Sequence, residues 1–135
     1  LTGGGGYALV LVNPNFPLST QAVYGHVPAG FTAEPHGTRR MLAALETRSA
    51  PRVAAALTNT LEEIVAPRVP AITRMKAALM AAGALGAVMS GSGPTVFGLA
   101  RSLDHAQAIR RRVNRAGWSC WAVRTMSGPA IRVAV

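Results

Sequence analysis

The run Gly86-Ala-Val-Met-Ser90-Gly91-Ser92-Gly93-Pro94-Thr95-Val-Phe-Gly-Leu-Ala100 decides how this chain folds. Val88 and Met89 lead into a polar stretch, and Val96, Phe97 and Leu99 lead out of it. Such short apolar runs suit buried strands. The Ser-Gly-Ser-Gly-Pro between them cannot continue a ladder. Gly91 and Gly93 open backbone angles closed to other residues, and Pro94 fixes its own φ and lacks an N–H. The stretch therefore predicts a β-hairpin with a glycine-rich tip. Two uses of that tip stand side by side. It can be a turn that needs φ > 0 twice. It can also be a concave nest of N–H groups for an anion, with hydroxyls from Ser90, Ser92 and Thr95. It is no Walker A loop, because no Gly-Lys-Ser/Thr follows and no helix begins there.

Upstream, Tyr7 to Val12 is a near-continuous apolar run and reads as a central strand. Asn13-Pro14-Asn15-Phe16-Pro17 stops it, since two prolines cannot extend a ladder. Ser19 or Thr20 can cap a short helix carrying Val23 and Tyr24. Residues 25–37 are turn-rich and read as a loop, with His26 and His36 on the surface and too isolated to bind metal. Helical spacing resumes from Thr38 to Thr47, with Met41, Leu42 and Leu45 inward. Pro51 suits the first turn of the next helix, which should end near Asn59. Asn59-x-x-Glu62 and Thr60-x-x-Glu63 both have capping-box spacing.

A longer helix should start around Pro67 and Pro70 and run to about Ala82. Its inner stripe is Val69, Ile72, Met75, Leu79 and Ala82, with Arg74 and Lys76 on other faces, and Gly83 stops it. Met75 and Met80 read as core filler. Beyond the hairpin, Ser102 caps a helix with Leu103, Ala106, Ile109 and Val113 inward. Arg110, Arg111 and Arg112 point in three directions, about 100° apart, and read as a solvated face. Gly117 ends that helix. Trp118 to Met126 is the last clear strand, with Trp118, Cys120 and Ala122 on one face and Trp121 and Val123 on the other. Residues 131–135 are a weak strand or tail. The order predicts an α+β two-layer sandwich of ferredoxin-like type, a mainly antiparallel four-stranded sheet with helices on one face.

The 135 residues make one domain, half of them apolar, which excludes a disordered chain. No apolar run approaches the roughly 20 residues of a spanning helix, so no membrane partner is expected. The opening Leu-Thr-Gly-Gly-Gly-Gly reads as a linker stump over residues 1–6. One cysteine, Cys120, excludes an internal disulfide and a cysteine-cluster metal site, and fits a reducing cytoplasm. The net charge of +9 rests on thirteen arginines and one lysine, Lys76. It favours phosphate-bearing partners, although arginine-for-lysine usage is also what GC-rich coding produces. Nucleic acid is not the expected partner: the chain has seven aromatics and no strand alternates them with glycines. The five acidic residues, Glu34, Glu46, Glu62, Glu63 and Asp104, are distant in sequence from Ser90–Thr95. No serine has a sequence-adjacent His or carboxylate. The chain therefore offers no catalytic residue and no metal ligand.

Gly83-x-x-Gly86 through Leu99 resembles the third motif of the GHMP kinases. Leu9-Val-Leu-Val-Asn13-Pro14, Ser19-Thr20-x-x-Val23-Tyr24 and Asn59-Thr60-Leu61-Glu62 are similar to segments of one branch, the kinases of cytidine-diphosphate methylerythritol in the non-mevalonate isoprenoid route. That branch usually has Asp where this chain has Thr60. The resemblance covers residues 7–135 and implies a C-terminal domain without its N-terminal catalytic domain. It implies ATP and Mg2+ as cofactors of the whole enzyme, and a cytidine-diphosphate sugar-alcohol substrate. It further implies that Gly91, Ser92 and Gly93 approach phosphates or brace the nucleotide loop, while Ser90, Pro94 and Thr95 shape the turn. The fragment alone should be inactive. A homoserine or mevalonate type of GHMP kinase shares the third motif, and a basic RNA-binding module is the more distant alternative.

Overall fold

The computed structural model describes residues 6–30, 35–115 and 117–125. The glycine-rich opening, Glu34 and the expected strand over 131–135 lie outside them. Ten elements follow one another: β1 (Ala8–Asn13), α1 (Thr20–Gly25), α2 (Pro35–Glu46), α3 (Ala50–Ala55), α4 (Glu62–Val65), α5 (Pro70–Ala81), β2 (Gly86–Met89), β3 (Val96–Ala100), α6 (Leu103–Val113) and β4 (Ser119–Arg124). The strands form one sheet in the order β2-β3-β1-β4, and every neighbouring pair is antiparallel. The expected α+β class and the central hairpin are both present.

The period-2 alternation of β1 divides the core. Ala8, Val10 and Val12 are buried, and they join Ile72, Met75 and Leu79 of α5 and Ala106, Ile109 and Val113 of α6. Leu9 faces the other way, into a smaller cluster with Leu99 of β3, Ala44 of α2, and Val53 and Ala54 of α3. The two longest strand-packed helices thus cover one face. The α2–α3 pair covers part of the opposite face, beside β2 and β3. Gly98 lets α5 sit close on β3. A Cβ there would lie 3.2 Å from a Leu79 methyl and from the Ala84 side chain. The 98 side of β3 therefore has room for hydrogen only.

Several local readings change. α2 begins at Pro35, so residues 35–37 belong to the helix and not to the loop, because proline's missing N–H is harmless in a first turn. α3 begins at Ala50 with Ser49 as its cap, and it stops at Ala55, short of Asn59. Pro67 lies in a turn between α4 and α5, and only Pro70 enters the α5 first turn. Met75 is core, but Met80 is 49% exposed, and Leu42 and Leu103 also face outward. The faces of β4 are as the alternation requires, with Cys120 and Ala122 against the α5–α6 layer and Trp121 on the other side.

The arginines of α6 diverge, and most are not simply solvated. Arg110 Nε donates to Cys120 O at 3.0 Å, and Arg112 Nη1 donates to Ala82 O at 3.0 Å, closing the C-terminal end of α5. The Arg115 guanidinium lies over the Trp118 ring, 5.3 Å from its centroid. These contacts spread the positive charge over three local tasks. Burial pushes the Cys120 thiol up, with Arg110 pulling it down less strongly.

Two outcomes check this packing. Leu79→Ala should cost about 2–5 kcal/mol in urea unfolding, since its side chain is fully buried, while Leu42→Ala should stay within about 0.5 kcal/mol. Because the thiolate is the reacting form, Cys120 in the folded chain should alkylate more slowly at pH 8 than in the unfolded chain. Raising the pH should narrow that gap as the folded thiol ionises.

Candidate functional site

β2 is an edge strand of the sheet, and Met89 ends it. An edge leaves N–H and C=O groups without a ladder partner, and they must be satisfied by other means. Here two side chains from the segment between α3 and α5 take that place. Glu62 Oε1 accepts from Met89 N at 2.8 Å, and Asn59 Nδ2 donates to Met89 O at 2.8 Å. The second Asn59 amide proton goes to Gly91 O at 2.7 Å, and its Oδ1 accepts from Leu61 N at 3.0 Å. Every hydrogen-bonding direction of that amide except one lone pair is used. Lys76 Nζ on α5 meets Glu62 Oε2 at 2.6 Å, which holds the carboxylate in place.

These contacts overturn the capping readings of Asn59-x-x-Glu62 and Thr60-x-x-Glu63. The residue before α4 is Leu61, and α4 has no side-chain cap. The Glu62 carboxylate reaches across to β2 because a backbone N–H at a sheet edge competes for it better than a solvent-facing helix start.

The Ser90–Thr95 loop closes on itself. Ser90 N donates to Thr95 O at 2.8 Å, and Gly93 N to Ser90 O at 3.0 Å. Gly91 has φ 56° and Gly93 φ 87°, and the Gly93–Pro94 bond is cis. The two glycines differ in surroundings. A Cβ on Gly91 would meet nothing within 4 Å, whereas one on Gly93 would lie 3.0 Å from Met89 Sδ and 3.3 Å from Leu18 Cδ2. Pro94 is buried, and Ser90 and Gly91 are exposed. The tip is thus a bare backbone over a packed base.

Two more segments converge on it. Asn13, at the end of β1, donates from Nδ2 to Thr95 Oγ1 at 3.0 Å, and its Oδ1 accepts from Asn15 N at 2.8 Å. Ser19 caps α1 by accepting from Ala22 N at 3.2 Å. Thr20 at the start of α1 places its hydroxyl 3.2 Å from Ser92 Oγ. Asn13 and Thr20, and Asn59 and Glu62, come from two regions far apart in sequence, yet all four grip residues 89–95. Sequence reasoning singled out Thr20, Asn59 and Glu62 but missed that they meet on this loop, whereas Ser19 serves α1 as its cap. Asn13 and Lys76 were missed as members of the site. The available signal was that the same short polar stretches carried the family resemblance.

The N–H groups of Gly91 and Ser92 donate to no described residue. Free donors, hydroxyls and the open space beside Gly91 fit a phosphate. Among the described residues no three His, Cys, Asp or Glu side chains gather as a metal site, and no helix is long and apolar enough to cross a membrane.

Residues 41–119 match the family model described as GHMP kinases C terminal. The 4-diphosphocytidyl-2-C-methyl-D-erythritol kinase of Pelotomaculum thermopropionicum is 39% identical over 119 residues, 88% of this chain and 42% of that protein. A crystal structure of 4-(cytidine 5'-diphospho)-2C-methyl-D-erythritol kinase superposes with TM-score 0.68 at 30% identity, covering 86% of this chain and 41% of the other. Homoserine kinase from Cytophaga hutchinsonii shares the fold, with TM-score 0.74 at 21% identity over 90% of this chain and 42% of that one. The chain spans about two fifths of the length of the curated relatives it matches.

The two loop glycines should respond unequally to alanine. Gly91→Ala carries only the backbone cost of a left-handed residue, about 1–2 kcal/mol. Gly93→Ala adds a clash with Met89 and Leu18 and should destabilise by about 1–3 kcal/mol more in urea unfolding.

Proposed function

The chain belongs to the GHMP kinase family, and from that premise we propose that it is the C-terminal lobe of a phosphotransferase acting on 4-diphosphocytidyl-2-C-methyl-D-erythritol. The reaction would be ATP-dependent phosphorylation of the substrate's 2-hydroxyl, in the cytoplasmic supply of isoprenoid precursors. The observation that carries this reading is the convergence of Asn13, Thr20, Asn59 and Glu62 on one glycine loop. The printed names of the relatives supply the substrate.

Phosphoryl transfer is mostly positioning and charge stabilisation. In this reading Gly91, Ser92 and Gly93 contact or brace the nucleotide phosphates through main-chain N–H groups. Ser90, Pro94 and Thr95 shape the turn. The missing Cβ at Gly91 admits a bulky anion, and the Ser92 hydroxyl, shared with Thr20, adds a donor. ATP bound with Mg2+ supplies the transferable phosphoryl group. The base that activates the alcohol, the magnesium ligands and the main glycine-rich nucleotide loop are assigned to an N-terminal lobe.

Among the described residues, the carboxylate that bonds to the loop is not free to act as base. Glu62 is held by Met89 N and Lys76 Nζ, and Asp104 sits in the first turn of α6. The division of labour is tested by assaying the chain alone and joined to its N-terminal lobe, with ATP, Mg2+ and the cytidine-diphosphate alcohol. The joined protein should phosphorylate the alcohol, and the chain alone should stay at background. Turnover by the chain alone would overturn the assignment.

A further inference from the structure

We propose that Asn59 is a positioning residue that sets the orientation of the Gly91–Ser92 peptide, turning the Ser92 N–H toward a nucleotide phosphate. The inference rests on the kinase reading above and adds a residue and a mechanism to it.

In a planar trans peptide the C=O of one residue and the N–H of the next point in opposite directions. Asn59 Nδ2 holds Met89 O at 2.8 Å, and the N–H of the same peptide unit, Ser90 N, points away to Thr95 O at 2.8 Å. The same Nδ2 holds Gly91 O at 2.7 Å. The N–H of that unit, Ser92 N, must then point away from Asn59, and among the described residues it has no acceptor. One side-chain amide therefore sets two peptide planes. The first closes the hairpin and the second is left with an outward donor.

The loop does not hold that orientation unaided. Gly91 is exposed, its φ is 56°, and no side chain lies within 4 Å of where its Cβ would be. A peptide between a glycine and a small residue at a loop tip turns over at low cost. The remaining ties are Gly93 N to Ser90 O, which closes a turn around the 91–92 peptide without bonding to it, and Asn13 to Thr95 and Thr20 to Ser92, which reach side chains. Glu62 and Lys76 support Asn59 indirectly by fixing the Met89 N–H, so the strand end cannot slide beneath it.

The test uses the full-length kinase that carries this chain, assayed with ATP and the alcohol varied in turn. Asn59→Asp keeps the size of the side chain and the acceptor for Leu61 N, but removes both donors. Asn59→Ser is the second variant, since one hydroxyl cannot reach both carbonyls. Each should raise the KM for ATP about tenfold or more, with the KM for the alcohol within twofold and the protein still folded at the assay temperature, although its melting point falls because Met89 O and Gly91 O lose their donor. An unchanged KM for ATP overturns the positioning role and leaves the kinase reading intact. Equal rises in both KM values also overturn it, because a general loosening of the lobe would do that. A wild-type enzyme without ATP-dependent turnover sinks the kinase reading, and this inference with it. A crystal structure of the wild type with a non-hydrolysable ATP analogue reads the same point without any substitution. Ser92 N within hydrogen-bond reach of a phosphate oxygen, with Asn59 still on Gly91 O, supports the proposal. A turned-over 91–92 peptide, or a phosphate out of reach of Ser92 N, overturns it.

Discussion

An edge strand that runs into a bare glycine loop has no neighbour to finish its hydrogen bonding, and the rest of this fold answers that constraint. Met89 presents both its N–H and its C=O outward. A fifth strand would satisfy them but would also bury the loop that follows. Two side chains do so instead, one neutral amide and one carboxylate, and they leave the tip uncovered. A buried or half-buried backbone group left unpaired costs about 1–3 kcal/mol, so the Asn59–Glu62 pair removes a penalty comparable to a large share of a domain's net stability. The short helices α3 and α4 have little core of their own. Their placement makes sense as the scaffold that brings those two side chains to the edge.

The two clusters of apolar side chains serve the same end from below. β3 is buried at Val96, Gly98, Leu99 and Ala100, pressed between α5 on one face and the α2–α3 pair on the other. The second leg of the hairpin is therefore rigid. The first leg, β2, is held by β3 on its inner side and by Asn59 and Glu62 on its outer side. A loop between two such legs has few ways to move except by turning over individual peptides, and those are the degrees of freedom that the glycines leave open.

Much of the fold was legible because its strands alternate cleanly and its longer helices carry regular apolar stripes. The faces of β1 and β4, the α5 stripe and the hairpin all follow from period-2 or period-3.6 spacing. The exceptions have physical causes. Pro35 extends α2 because first-turn positions tolerate it, and spacing alone cannot distinguish that from a loop proline. Leu42, Met80 and Leu103 are exposed because an apolar residue at the rim of a stripe has the right period but not enough neighbours. The site was legible only as a set of separate stretches. Asn59-x-x-Glu62 fits a capping box as well as it fits a clamp, since both use the same donors and acceptors within reach. Only the fold brings Met89 close enough to win the carboxylate. Asn13 stood out only as part of a stretch that resembles the family, and Lys76 left no pattern, because their partners lie 82 and 14 residues away.

The way charge is used around the loop says what this lobe can contribute to a reaction. Glu62, the one acidic side chain that bonds to the loop among the described residues, already has both oxygens engaged, Oε1 with a backbone N–H and Oε2 with a lysine. Arg110 and Arg112 of α6 are tied to β4 and to the end of α5, and Arg115 beyond the helix lies over a tryptophan ring, so these arginines do not focus a field on the tip. What remains at the tip is neutral and oriented: main-chain N–H groups and two hydroxyls. Fixed neutral dipoles stabilise a phosphate without introducing a reactive group, and they cost no reorganisation when charge shifts during transfer. In the proposed function, a lobe built in this way would add shape and polarity to a pocket whose reactive groups come from elsewhere, and its contribution would lie in the main chain that Asn59 orients rather than in a carboxylate.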